Sequence, residues 1–194
     1  MKKIISMMLS LCLVWLTLSG CGEIKTNVNN NTEVGGDYEY IPSQPAETAE
    51  VDTLAYYVQD YVENNKAARK RYGGCYIDDS GELHVLFTKK AKSRIKNKIK
   101  ELTAERVIIE TCDYTLDELT KIQDYVGDFM SNEKLDAKTA IIADDIREVG
   151  VYEQYNRVVV GIKDRTDEKI ELFKELISNS DALEFEEAKF YEDN

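Results

Sequence analysis

The sequence predicts an α+β fold: an antiparallel or mixed sheet with helices packed on it, following a cleaved signal peptide and a disordered tether. Three observations carry that expectation. Short β-prone runs are joined by turn-forming residues, as at Asp78-Asp79-Ser80-Gly81. Between them lie single amphipathic stretches with helical spacing. Beyond the leader, no apolar run approaches the roughly 20 residues that span a bilayer. The expected organisation is a lipoprotein signal peptide over 1–20, a lipidated flexible linker over 21–50 and a single α+β domain over 51–194, with no convincing internal repeat.

The leader begins with Lys2 and Lys3, runs through apolar residues from Ile4 to Leu18 and closes with Leu18-Ser19-Gly20-Cys21. A positive start, a short apolar stretch and small residues at the cleavage site define a secretory leader. The cysteine after Leu-Ser-Gly follows the lipobox pattern of bacterial lipoproteins, so Cys21 is the expected lipid attachment site and first mature residue. Two acyl chains suffice for stable anchoring, each buried CH₂ contributing about 0.8 kcal/mol. The expected location is the cell membrane, lipid-anchored and facing outside the cytoplasm. From Gly22 to Glu50 there is no hydrophobic period, and both prolines, Pro42 and Pro45, fall here. Such a segment buries too little apolar surface to offset its ordering entropy, and as a flexible chain it would reach on the order of 30 Å.

In the domain, Leu54, Tyr57, Val58, Tyr61 and Val62 fall on one helical face, with Asp52 or Thr53 available as N-cap. Cys75-Tyr76-Ile77 and Leu83 to Phe87 read as a hairpin. Ala91, Ile95, Ile99 and Leu102 line a second helix whose other faces carry Lys89 to Lys100. Val107-Ile108-Ile109 reads as a strand, and Thr115 with Glu118 has capping-box spacing before a helix bearing Leu119, Ile122, Val126 and Met130. Ala140-Ile141-Ile142 and the alternation around Val149 and Val151 suggest further strands. Asn156 turns the chain into Arg157–Ile162; a last helix after Thr166 or Asp167 buries Ile170, Phe173, Leu176 and Ile177, and Leu183 and Phe185 alternate as a closing strand.

The full sequence carries 25 basic and 37 acidic residues. Removing Lys2 and Lys3 with the leader leaves 23 basic residues and a net charge of −14, which argues against nucleic acid as a partner. His84, the lone histidine, sits on a strand facing away from Leu83 and Val85, in no recognised nucleophile motif. It reads as a solvent-facing or hydrogen-bonded strand residue, and no catalytic residue is assigned. Cys75 and Cys112 are the cysteines left after leader removal and acylation. They are either two buried or partly buried free thiols or a candidate disulfide. One histidine and two distant cysteines assemble no metal site, and no cofactor is implied. The pairs Asp78-Asp79 and Asp144-Asp145 lack glycosidase or calcium spacing and read as solvated turns. The lysine-rich helix surface from Lys89 to Lys100 reads as solvated, with an anionic partner as the alternative.

YGGCYID, then GELHVLFT, and much later YNRVVVGI, in that order, resemble the prodomains of alpha-lytic-protease-like and streptogrisin-like secreted serine proteases over Tyr72 to Ile162. The resemblance implies a module that assists or inhibits a protease through its C-terminal part. It implies a scaffold role for the hairpin, with Gly73 and Gly74 serving close backbone approach or positive φ, and Ile77, Leu83 and Val85 as structural residues. Cys75 stands where an apolar or aromatic residue is expected. No Gly-Asp-Ser-Gly nucleophile motif occurs in the chain. The expected function is a non-catalytic protein- or peptide-binding lipoprotein module whose partner is an exported protein or protease, with Phe190 and Tyr191 as candidate partner-binding anchors. The alternative is an envelope carbohydrate-binding protein or hydrolase that uses its tyrosines and carboxylates.

Overall fold

The computed structural model describes residues 45–132 and 134–188. Contacts divide the chain into Met1–Gly36 and Asp37–Asn194, and every described residue belongs to the second unit. Its elements run α1 (Val51–Asn64), α2 (Lys66–Arg69), β1 (Tyr72–Ile77), β2 (Leu83–Thr88), α3 (Ser93–Leu102) and β3 (Ile108–Cys112). They continue through α4 (Leu116–Ser131), α5 (Ala137–Asp145), β4 (Ile146–Tyr152), β5 (Arg157–Ile162), α6 (Asp167–Leu176) and β6 (Leu183–Glu187), with a 3-10 turn over Glu153–Tyr155. The α+β class is as expected, with two mixed sheets among the described residues.

Each sheet has three strands, ordered β1-β2-β3 and β4-β5-β6. The first pair in each is antiparallel and the second parallel, joined by a crossover helix, α3 or α6. The register repeats in detail. Cys75 opposes Val85 as Val149 opposes Val160, and each hairpin carries an irregularity at the same place, between Tyr72 and Gly74 and between Ile146 and Glu148. The described chain is therefore two copies of one helix–helix–hairpin–helix–strand unit, which corrects the expectation of no convincing internal repeat. The repeat escapes notice in the sequence because it conserves an apolar pattern, not residue identity: Leu83, Val85 and Phe87 in one copy stand where Val158, Val160 and Ile162 stand in the other.

Burial follows from period. Leu54, Tyr57, Val58, Tyr61 and Val62 all lie on the buried face of α1, where they meet Leu83, Val85, Phe87, Ile95 and Ile99. Each such side chain contributes about 1.5–3 kcal/mol when fully buried. The second core joins Val126, Ile142, Ile146, Val160, Ile162, Ile170 and Phe173.

Several boundaries differ from expectation. The first helix starts at Val51 with Glu50 as N-cap, making no side-chain cap bond. Residues 45–50 are not tether: Ala49 is buried, and Arg106 donates to the carbonyls of Ala46 and Ala49, both at 2.7 Å. Ala140-Ile141-Ile142 is helix rather than strand. Asp136 Oδ1 accepts from Lys138 N and Thr139 N at 3.0 and 3.1 Å and starts α5 there, which buries Ile142 and leaves Ile141 65% exposed. Ile77, expected to be structural, is exposed at the end of β1. The Thr115–Glu118 capping box and the Thr166 cap are present.

The two copies meet at the link between β3 and α4. Asn156, in the left-handed region at φ 53°, accepts from Asp113 N at 3.0 Å and Tyr114 N at 2.8 Å, and its Nδ2 donates to Tyr114 O at 2.9 Å. Arg157 lies over the Tyr114 ring, 5.2 Å from its centre. Beside it, the Glu153 carboxylate accepts from Cys75 N at 3.0 Å. A small junction cluster of Leu119, Val158 and Ala182 lies against Tyr114 and Ile122. Replacing Asn156 with Ala removes three bonds and leaves a residue that disfavours positive φ. The expected loss is about 2–4 kcal/mol in urea denaturation, whereas Asn156→Asp, which keeps both acceptor contacts, should lose less. Equal stability of wild type and Asn156→Ala would contradict this reading.

Candidate functional site: the open edge of the second sheet

A strand at the end of a sheet presents unpaired backbone groups unless something covers it. The two hairpin edges are covered. On β1, Cys75 N reaches Glu153, whose side chain also lies over Gly74: a Cβ there would come within 2.8 Å of Glu153 Cδ, and the φ of +116° favours glycine. On β4, Val151 N donates to Gln123 Oε1 of α4 at 3.2 Å. Burial raises the Glu153 pKa, and the Cys75 N–H offsets part of that rise.

The third strand of the second copy is different. Val158 N donates to Ala182 O at 2.8 Å and Ala188 N donates to Ile162 O at 3.0 Å. In a parallel ladder alternate residues bond to the neighbour, so the even-numbered residues of β6 face β5. The backbone of Leu183, Phe185 and Glu187 points outward. Leu183 N is taken by Ser180 O at 3.1 Å; among the described residues the amides of Phe185 and Glu187 have no acceptor. The strand is held firmly from behind. The Phe185 ring meets Phe173 edge-on with centres 5.1 Å apart, and the Glu187 carboxylate accepts from Asp164 N and Arg165 N at 2.9 and 2.7 Å. A rigid strand with outward amides can pair with an extended segment of another chain.

The residues singled out from the sequence are scattered. Cys21, Phe190 and Tyr191 lie outside the described residues. Cys75 and Cys112 are free, buried thiols, not a bridge. They point to opposite faces of the first sheet: Cys75 pairs with Val85 on the face covered by α1, and Cys112 pairs with Thr88 on the other. Cys112 Sγ packs where a Cβ on Gly73 would collide with it, the close approach expected of that glycine. Burial pushes the Cys112 thiol up to about 11 and also raises that of Cys75, which leaves both poor nucleophiles at neutral pH.

His84 is hydrogen-bonded rather than free. Its Nδ1 lies 2.5 Å from Glu110 Oε1, its Nε2 lies 3.3 Å from Asp78 Oδ2, and Tyr76 stacks on the ring with centres 4.6 Å apart. Both ring nitrogens are engaged by carboxylates, so neither is available to activate a hydroxyl or thiol. Asp78 meanwhile organises the turn, accepting from Glu82 N and Ser80, contacts that hold its carboxyl down at about 2. Among the described residues no group of His, Cys, Asp and Glu could hold a metal ion, and no helix is long and apolar enough to cross a membrane.

Comparison with protein-family models gives a match. Residues 117–188 fit the family described as the Pro-like C-terminal domain. The matched stretch covers less than half of the chain, starts in α4 and ends just after β6, which makes it the second copy of the repeat. No curated protein matches the chain. The match is consistent with a prodomain-like region and overlaps the likeness seen in the sequence over 117–162, whereas YGGCYID and GELHVLFT belong to the first copy, outside the match. The three segments combine a hairpin from one copy with a strand from the other. That is a natural result when both copies share one apolar pattern.

Glu153 and Gln123, which each bind an outward amide of a hairpin edge, and Asn156, which joins the copies, carry no sequence signature of a site. Asn156 is legible as a turn, but its partners lie more than 40 residues away. The ring of His84 gives the sharpest test of the site's electrostatics. Burial lowers its pKa, but the paired carboxylates of Glu110 and Asp78 outweigh this and raise it above its ordinary 6.5. The stability that this pair contributes is complete below 6.5 and is lost as pH rises through the raised value. With one histidine in the chain, the NMR titration of its ring protons is unambiguous. The midpoint should lie above 6.5, and a midpoint at or below 6.5 would contradict the pairing.

Proposed function

We propose that this chain is a surface-exposed lipoprotein, anchored through acylated Cys21, whose prodomain-like module binds an exported protein or peptide and carries out no reaction. The observation that carries the reading is the open edge of β6 within the stretch that fits the Pro-like C-terminal domain family. A partner segment would add to the sheet by main-chain pairing with Leu183, Phe185 and Glu187. Phe190 and Tyr191 follow that strand directly in sequence and are the proposed anchors for the partner's side chains. The double carboxylate engagement of His84 and the raised thiol pKa values support a non-catalytic role.

Crosslinking in the native envelope, with mass-spectrometric identification, supplies the partner. Amide exchange on the purified complex then tests the mode of binding. Exchange at Phe185 and Glu187 should slow markedly, with little change at Glu184 and Glu186, which already face β5. Phe190→Ala with Tyr191→Ala should weaken capture without altering the fold. A captured partner that leaves the Phe185 and Glu187 amides unchanged would remove the strand-addition mode. Labelled palmitate should enter the wild-type chain and not Cys21→Ala; equal labelling of both would remove the anchor.

A further inference from the structure

At one end of the first sheet two adjoining hollows, of about 310 and 440 Å³, share Lys70, Arg71 and Lys90. Lys89 adds to the first, and Lys92 and Arg94 to the second. These six cations come from the α2–β1 and β2–α3 connections and the start of α3, in a chain whose formal charge is −12. Among the described residues Lys70, Arg71, Lys89, Lys90 and Lys92 make no ion pair, whereas Lys98, Lys100, Lys138, Lys169 and Lys174 all do. Of the acids at the first hollow, Asp113 pairs with Arg157 at 3.5 Å, and Glu118 accepts from the Thr115 cap at 2.8 Å while its charge also acts on Arg71. Among the described residues no acid lines the second hollow.

One observation separates this groove from an ordinary solvated surface: the other copy of the repeat. Where Lys70 and Arg71 precede β1, Asp144 and Asp145 precede β4, and Lys169 pairs with Asp145 at 3.0 Å. The loop after β5 is closed by the Glu187 carboxylate. The same scaffold is thus built there with acids in the place of Lys70 and Arg71, so the fold does not require the cations of the first copy.

We propose that this groove binds a run of phosphate groups, such as a segment of a linear phosphodiester polymer. The lining offers several donors along two connected hollows and no aromatic platform, so it reads charge and spacing, not bases. Lysine and arginine suit phosphate as point charge and fork respectively. An acidic protein segment would in addition need apolar pockets for its side chains, and among the described lining residues the apolar ones are Ala67, Ile95 and Cys112. The proposal is independent of strand addition at β6.

The test uses the full chain in neutral detergent micelles, with short-chain inorganic polyphosphate as the probe. Polyglutamate of equal charge and vesicles containing phosphatidylglycerol form parallel arms. Polyphosphate should bind with an affinity that falls steeply with salt, about ten-fold more tightly than polyglutamate. Lys70→Ala, Lys90→Ala and Lys92→Ala together should weaken it by about ten-fold or more. All three positions are exposed. The control triple Lys98→Ala, Lys138→Ala and Lys174→Ala makes the same change in net charge elsewhere and should stay within about two-fold of wild type. Equal binding of polyglutamate would overturn the proposal in favour of an acidic protein segment. Vesicle binding lost in the groove variant, with no polyphosphate binding, would overturn it in favour of the membrane surface. Equal loss in both triples, or no binding in any arm, would also overturn it.

Discussion

The side chain of Asn156 satisfies three backbone groups of the Asp113–Tyr114 link, two as acceptor and one as donor. The arrangement of the two copies depends on it. Asn is among the few residues that take a left-handed conformation at low cost and can carry both a donor and an acceptor into a tight turn. From that point the 3-10 turn places Glu153 against the edge of β1, and Arg157 falls over Tyr114. A copy of roughly 60 residues buries too little surface to be more than marginally stable alone. The clasp and the small Leu119–Val158–Ala182 cluster make one copy support the other.

The same contacts divide the sheet edges into closed and open. Glu153 closes β1, Gln123 closes β4, and β6 keeps its outward amides while its own side chains are fixed by Phe173 and by the 164–165 loop. Rigidity behind an open edge lowers the entropy lost when a partner strand docks. Duplication also lets the copies differ in use. The first keeps an excess of cations at one end of its sheet, the second places Asp144 and Asp145 there and pairs Asp145 with Lys169, and the apolar pattern that builds both cores is untouched.

The elements with a strong period were legible in the sequence. The α1 face from Leu54 to Val62 is buried as its spacing indicates, the Thr115–Glu118 box starts α4, and Asn156 turns the chain into β5. Ala140-Ile141-Ile142 misled because a short apolar run does not by itself distinguish strand from helix, and the deciding group is the Asp136 cap. The repeat was hidden because burial selects for apolar character and volume and tolerates exchange of Leu for Val. At the candidate site, the alternation that turns His84 away from Leu83 was readable. Its carboxylate partners were not, since Glu110 reaches it only through the parallel pairing of β2 and β3. Of the two readings left open for Cys75 and Cys112, the structure has free thiols for a related reason: strand parity puts them on opposite faces, and parity is known only once the register is.

Native-state hydrogen exchange at the centres of β2 and β5 tests the account most directly, because it reports the stability of each copy within the intact chain. If the clasp makes the two copies one cooperative unit, the slowest amides around Val85 and around Val160 will exchange with the same opening free energy. Clearly different values, with one sheet opening while the other stays protected, would show that each copy stands alone and would contradict the central role of the Asn156 clasp.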